Sequence, residues 1–299
     1  MAQAPRVFDR PLLRVRRRRA AALGPATFLL DRVATDLRDR LGTVLRRFER
    51  AADLGTPTDA VRRALTGYNK IGAVISVDSI PDHLCAAPLA VAADEELLPF
   101  RDGSLDLVVS ALALQFVNDL PGTLVQIRRA LRPDGLFVAA LLGGESLSEL
   151  RQALAAAESE ITGGISPRVA PFADVRELGA LLQRAGFALP VSDVDRVTVR
   201  YESPFMLMHD LRRMGGTNAL VERHRTPLPR AVFRRAIQMY GKRFSDPDGR
   251  VRATFEIVWL SGWAPHESQQ QPLRPGSATA RLADALGVAE RSAGEKAER

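Results

Sequence analysis

A single cysteine, Cys85, in 299 residues leaves no disulfide framework and no cysteine-built zinc site, and it fits a reducing compartment. A lone thiol is also a poor candidate nucleophile. Aromatic residues make up only 6% of the chain, so the core must lean on Leu, Val and Ala. The longest apolar runs, such as Leu136 to Leu142, fall far short of the roughly 20 residues that cross a bilayer, and no membrane span is expected. The only histidines, His83, His209, His224 and His266, form no ligand pair at usable spacing, and no metal site is predicted.

What is present describes an ordinary globular chain. Hydrophobic residues are 46% and charged residues 26%, and a fold of this length buries about 75% of its unfolded surface. Net charge is +7, and its source is local: residues 1 to 50 hold 13 Arg against 5 acids, which leaves the rest of the chain near neutral. The run Arg16 to Arg19, with Arg6, Arg10 and Arg14, suits nucleic acid, acidic headgroups or an acidic partner, or is a solvated helix face.

From residue 48 onward, strand-like and helix-like segments alternate, the pattern of an α/β domain with a mostly parallel sheet. Strands are expected to end at Ala51–Leu54 and to cover 73–77, 89–92, 105–109 and 136–142. The last two are apolar enough for burial on both faces. Leu120, Leu124, Ile127 and Leu131 recur at helical spacing before Arg132-Pro133-Asp134-Gly135 turns the chain. Further helices are expected over 147–160 and 175–185. Strands over 191–201 and 254–260 are expected to pair as an antiparallel edge, with a helical insertion at about 204–241 between them. The reading is thus a basic N-terminal arm over 1–47, a domain over 48–263 and a flexible polar tail over 264–299.

In an open parallel sheet, ligands sit beyond the carboxyl ends of the strands. Asp53 and Gly55 follow the first strand, Asp78 the second and Asp94-Glu95 the third. Asp78 is placed either to accept from both ribose hydroxyls or to cap a helix, and Asp94 either to accept from an exocyclic amine or to cap.

The succession Asp94-Glu95-Glu96-Leu97-Leu98-Pro99-Phe100, Ser104 to Ser110, and Leu131 to Gly135 resembles class I S-adenosylmethionine-dependent methyltransferases. Within that superfamily the chain is similar to the mitochondrial complex I assembly factor described as an arginine hydroxylase, and to its bacterial relatives. Phe8-Asp9-Arg10, Val117 to Pro121, Leu142 to Glu145, Asp210 to Gly215, and His266 to Gln269 before Gly276-Ser277-Ala278 carry that likeness. It implies a Rossmann-like methyltransferase fold, S-adenosylmethionine as cofactor, and Asp53, Gly55, Asp78, Asp94, Glu95 and Ser110 as its binding residues. It also implies a protein substrate, a complex I subunit among the candidates, contacted by the basic arm. Because the likeness begins at Phe8, the arm is read as part of the working protein and the chain as cytoplasmic.

Departures matter as much. The loop after the first strand reads Asp53-Leu54-Gly55-Thr56-Pro57-Thr58-Asp59, where the family has three glycines. Pro57 removes an N–H, and Asp59 sets a negative charge near the place expected for the methionine carboxylate. The same loop argues against a dinucleotide, whose pyrophosphate needs free N–H groups. Gln115-Phe116 stands where the relatives have His-Trp, so no proton shuttle is available there. Met206, Met208 and Met214, with Phe205 and Leu211, form either a lid over the pocket or ordinary helix packing. Three functions follow: modification of a protein side chain, such as an arginine; non-catalytic assembly with a degenerate pocket; or O-methylation of a group on an acyl-carrier protein.

Overall fold

The computed structural model describes residues 6–270 and 282–289. Residues up to Pro265 form one compact unit, and those from His266 a second, in which a short helix spans Leu282–Leu286. The tail expected over 264–299, with its Gly276-Ser277-Ala278 stretch, lies partly outside the described residues.

Two helices come first, α1 (Arg10–Ala22) and α2 (Phe28–Thr43). The side chain of Asp9 caps α1 by accepting from the Leu12 N–H at 3.0 Å, and Pro11 suits the first turn because no N–H is needed there. The buried face of α1 is Arg10, Leu13, Arg17 and Ala20, spaced three, four and three apart. Two of its four inward positions are therefore arginines. Both helices belong to the same unit as the sheet, so the basic segment is built into the fold.

The sheet elements are β1 (Phe48–Leu54), β2 (Ile71–Asp78), β3 (Ala90–Ala92), β4 (Leu105–Ala111), β5 (Leu131–Leu142), β6 (Ala188–Tyr201) and β7 (Val251–Trp263). Between them lie α3 (Ala60–Leu65), α4 (Leu120–Ala130), α5 (Ser148–Thr162), α6 (Val175–Arg184), α7 (Pro204–Arg213) and α8 (Arg230–Phe244). Strand order is β3-β2-β1-β4-β5-β7-β6. The first five strands pair in parallel, while β7 runs antiparallel to both β5 and β6. This is the Rossmann-like arrangement with an antiparallel edge and a helical insertion, α7 and α8. Among the described residues no helix is long and apolar enough to cross a membrane.

Burial follows chemistry. β4 and β5, the runs read as doubly covered, sit mid-sheet and are almost wholly buried. Leu37, Val61, Val109, Val138 and Phe255 form the core on one face; Leu54, Val108, Leu124, Ile127 and Leu182 form it on the other. The edge strand β6 alternates between half-buried and exposed, and α2 staples its charged side: Arg40 bonds both oxygens of Asp193 at 2.7 Å, and Arg32 bonds Asp195 at 2.9 Å.

The Arg132-Pro133-Asp134-Gly135 segment, expected as a turn before the fifth strand, lies within β5 as an irregularity in its pairing with β4. Asp134 takes the left-handed conformation there, with φ of 64°. Glycine is still required next to it, because a Cβ on Gly135 would lie 2.9 Å from the Arg132 carbonyl and 3.1 Å from that of Asp106.

Tyr240 of α8 is among the largest fully buried side chains, and its hydroxyl donates to the Arg252 carbonyl at 2.8 Å. Tyr240→Phe leaves that carbonyl without its donor in the core. It is expected to cost about 1 kcal/mol in equilibrium urea unfolding.

Candidate functional site

The carboxyl ends of β1, β2, β4 and β5 open on one edge of the sheet. Gly55 follows β1 with φ of +67°, and its N–H donates to the Val77 carbonyl at 2.7 Å. Glu95 packs directly on its Cα, where any Cβ would collide with the carboxylate. Two other predicted residues brace the strands. Ser110 Oγ donates to the Leu54 carbonyl at 2.7 Å, tying β4 to β1. Buried Asp53 accepts from Thr56 Oγ1, which in turn accepts from the Ala111 N–H at 3.2 Å. Burial, opposed by the Thr56 hydroxyl, raises the pKa of Asp53 to about 7.

Asp78 is 2% exposed and has both oxygens engaged. Oδ1 accepts from the Ile80 N–H at 2.7 Å, and Oδ2 lies 3.0 Å from His83 Nδ1. The capping-type bond and a side-chain bond are thus made together, one at each oxygen. His83 stands on a short 3₁₀ turn, Pro81–Leu84, and its Nε2 is buried without a partner.

Asp94 and Glu95 are engaged in the same manner. Arg10 Nη2 bonds Asp94 Oδ1 at 2.8 Å and also Glu95 Oε2; Arg14 bonds Asp94 Oδ2; Arg17 Nη1 lies 3.6 Å from Glu95 Oε1. Glu95 is 0% exposed and Arg17 5%. Burial opposes the charge of Asp94, but the Glu96 N–H, Arg10 and Arg14 outweigh it and hold that carboxyl below its usual range. Burial lowers Arg17, against the pull of Glu95 and Asp78. The arm expected to face a partner therefore spends Arg10, Arg14 and Arg17 inside the molecule, because these three share the helix face that meets the acids after β3. Arg18 and Arg19 remain exposed on its outer side.

These pairs border a largely apolar cavity of about 390 Å³. Its polar lining comes from Arg17, Thr58, Asp59, Asp82, His83, Gln115 and Arg213, with the thiol of Cys85. Three polar atoms of lining residues are buried without a hydrogen-bond partner: Arg17 Nη2, His83 Nε2 and Gln115 Oε1. Asp59 pairs with Arg62 at 3.0 Å and Arg63 at 3.1 Å, which softens the repulsion expected of it. Leu211 and Met214 line the cavity, and Met208 lines an adjoining one of about 190 Å³. Phe205 and Met206 belong to neither; they lie on the outer face of α7, 55% and 47% exposed. The stripe is therefore split, since residues one helical turn apart share a face and adjacent ones do not. Phe116 is core, stacked edge-on between Phe8 at 5.5 Å and Phe172 at 6.2 Å.

Of the six predicted binding residues, none lines the cavity; Arg17, His83 and Gln115 do. The signal for Arg17 was present in its place on the inward face of α1. Nothing in the sequence pattern marked His83.

Two outcomes follow from the buried charges. Asp53 is raised in the folded state, so its neutral form adds stability below about pH 4, and this is lost as pH rises through about 7. Asp53→Asn should thus gain on the wild type by up to roughly 4 kcal/mol between about pH 4 and pH 8, read from unfolding curves at each pH. Glu95→Gln removes the anion shared by Arg10 and Arg17, and it should destabilise the fold by about 3–5 kcal/mol at neutral pH in the same assay.

Known proteins share the sequence and the fold of this chain. A family model described as a methyltransferase domain matches residues 52–139. The human protein named arginine-hydroxylase NDUFAF5, mitochondrial, is 39% identical over 282 residues, covering 91% of this chain and 81% of its own length. A malonyl-acyl-carrier-protein O-methyltransferase from Laribacter hongkongensis is 33% identical over 286 residues, 90% of this chain and 94% of its own. Among solved structures, the YcgJ protein of Bacillus subtilis superposes with a TM-score of 0.54 at 14% identity, over 79% of this chain and 99% of that one. The cyclase SpnF gives 0.52 at 16%, over 86% and 94%, a likeness of fold alone. Sequence and fold together place the chain in the class I S-adenosylmethionine-dependent methyltransferase family, as an enzyme on that fold with the arginine hydroxylase among its relatives.

Proposed function

We propose that this enzyme binds S-adenosylmethionine in the cavity at the strand ends and modifies a group carried on a protein. The observation that carries the reading is the set of three unpartnered polar atoms around one apolar cavity at the carboxyl edge of a parallel sheet.

The donor set fits the cofactor. Arg17 Nη2 offers a donor for a carboxylate, Gln115 Oε1 an acceptor for an ammonium or amine, and His83 Nε2 a site for a hydroxyl or amine of the nucleoside. The cavity falls within the 300–1,000 Å³ typical of small-molecule sites. Bound there, the cofactor supplies a methyl group on a sulfonium centre. The residues expected to bind it act from behind the wall: Glu95 and Asp94 hold the arginine face of α1, Glu95 rests on Gly55, and Asp53 and Ser110 fix the ends of β1 and β4. Pro57 and Asp59 line the cavity where the family has glycine, so this chain relies on side chains, Arg17 foremost, where the Pro57 N–H is lost.

The acceptor is a protein side chain, and a complex I subunit arginine is the candidate that follows from the relative named arginine-hydroxylase. One observation favours a second acceptor. A relative of 33% identity is named a malonyl-acyl-carrier-protein O-methyltransferase, and Arg213, a second cationic side chain of the lining, suits a carboxylate such as a malonyl group on a carrier protein better than a guanidinium. Exposed Arg18, 3.6 Å from Asp82 beside the cavity, gives either partner a basic contact near the mouth.

Calorimetric titration with S-adenosylmethionine is expected to show saturable one-to-one binding. No binding at millimolar cofactor overturns the reading. Mass spectrometry after incubation with cofactor then separates the acceptors: a methyl group on malonyl carrier protein supports the second, and a modified arginine in a complex I subunit supports the first.

A further inference from the structure

We propose that the nucleoside of the ligand is held through His83 Nε2, and that Asp78 acts on the ligand only through that imidazole. The inference rests on the S-adenosylmethionine reading above and names the contact within that site.

An acid after the second parallel strand is placed to accept from ribose hydroxyls directly. Here each oxygen is already engaged once. Asp78 is 2% exposed, accepts from the Ile80 N–H through Oδ1, faces His83 Nδ1 through Oδ2, and does not line the cavity. The side chain of His83 does line it, is only 9% exposed, and has its Nε2 buried with no partner.

The carboxylate sets what that atom can do. An ionised Asp78 only accepts, so the facing Nδ1 carries the proton, and in the neutral ring Nε2 is then an acceptor. The fitting ligand group is a hydroxyl or an amine, both of which a nucleoside carries. The ring is held from below as well: the His83 N–H donates to the Ile80 carbonyl at 3.0 Å, so the same turn that fills Oδ1 aims the imidazole. Asp78 is therefore a positioning residue and His83 the contact.

A double-mutant cycle tests this, with S-adenosylhomocysteine as the probe and two readouts. Affinity is measured by calorimetry. Cys85, the sole cysteine of the sequence, lies on the cavity wall and is exposed, so its alkylation by iodoacetamide reports occupancy independently. His83→Ala removes the contact and is expected to weaken binding about tenfold, the worth of one well-made hydrogen bond. Asp78→Asn keeps an acceptor for the Ile80 N–H and so preserves the loop. Its amide N–H group then faces Nδ1, which must accept, turning Nε2 into a donor; an amine is lost as a partner while a hydroxyl still accepts, so a loss no greater than that of His83→Ala is expected. The double variant should bind no worse than the weaker single variant, because both act on one contact. Cys85 protection should fall in parallel, and His83→Gln, which restores an acceptor, should recover part of both.

Binding by His83→Ala as tight as the wild type, with Asp78→Asn weakened in either background, overturns the proposal and assigns the contact to Asp78. Independent, multiplying losses in the double variant overturn it too. If the wild type neither binds nor protects Cys85, the S-adenosylmethionine reading fails first, and this inference falls with it.

Discussion

Glu95 carries its charge at zero exposure, and the groups that answer it lie some eighty residues earlier, on α1. Arg10 bonds one carboxylate oxygen and Arg17 lies beside the other. Exchanged for apolar residues of like volume, such a cluster gives little or no advantage in stability, since the desolvation of each ion offsets the attraction. Its value is positional. Leu, Val or Ala at these places would pack α1 against the strand ends equally well, but only a charged pair fixes where a guanidinium nitrogen points. The same carboxylate lies on Gly55, so the one glycine retained in the first loop is required by Glu95.

The acids at the strand ends thus work at one remove. Glu95 holds Arg17 and Asp78 holds His83, and it is the held groups that reach the cavity. Asp53, with its pKa raised to about 7, is only about half ionised near neutrality. A surface that reads as acidic along the sequence becomes one that presents guanidinium and imidazole to the cavity. Arg10 shows the balance: burial alone would depress it, yet Glu95 and Asp94 hold it above its ordinary value. The cavity takes one of its charges, Arg17, from the arm, and the others, Asp59, Asp82 and Arg213, from the loops after β1 and β2 and from α7.

Much of the fold was legible because burial on both faces leaves unbroken apolar runs, as in β4 and β5, and because β6 and β7 carry enough β-branched and aromatic residues to read as strands. The role of the arm was not. A run of arginines looks the same whether it faces water or a buried acid, and only the three-and-four spacing of Arg10, Leu13, Arg17 and Ala20 distinguishes the two. The strand-end position of Asp78 was legible as well, since topology places it. The direction of its carboxylate was not, because that depends on a histidine five residues on, in a turn whose geometry the sequence does not spell out. Ser110 and Asp53 belong to the same class: their positions follow from the strands, their partners from contacts across the sheet.

The arm has a second anchor, and the two together bear on catalysis. Phe8 packs edge-on against Phe116, which packs on Phe172, while Arg17 lies 5.8 Å from the ring of Phe116. Phe116 and Phe172 also form part of the wall shared by the larger cavity and the adjoining smaller one. The ionic anchor thus aims the polar atoms of one chamber, and the aromatic anchor sets the partition to the next. A group-transfer enzyme whose cofactor supplies the reactive centre gains most from holding two reactants at fixed separation and little from added acid or base. Gln115 in place of a histidine costs such an enzyme little, provided the partition holds. That requirement explains why a helix so rich in charge is built into the core rather than left free at the surface.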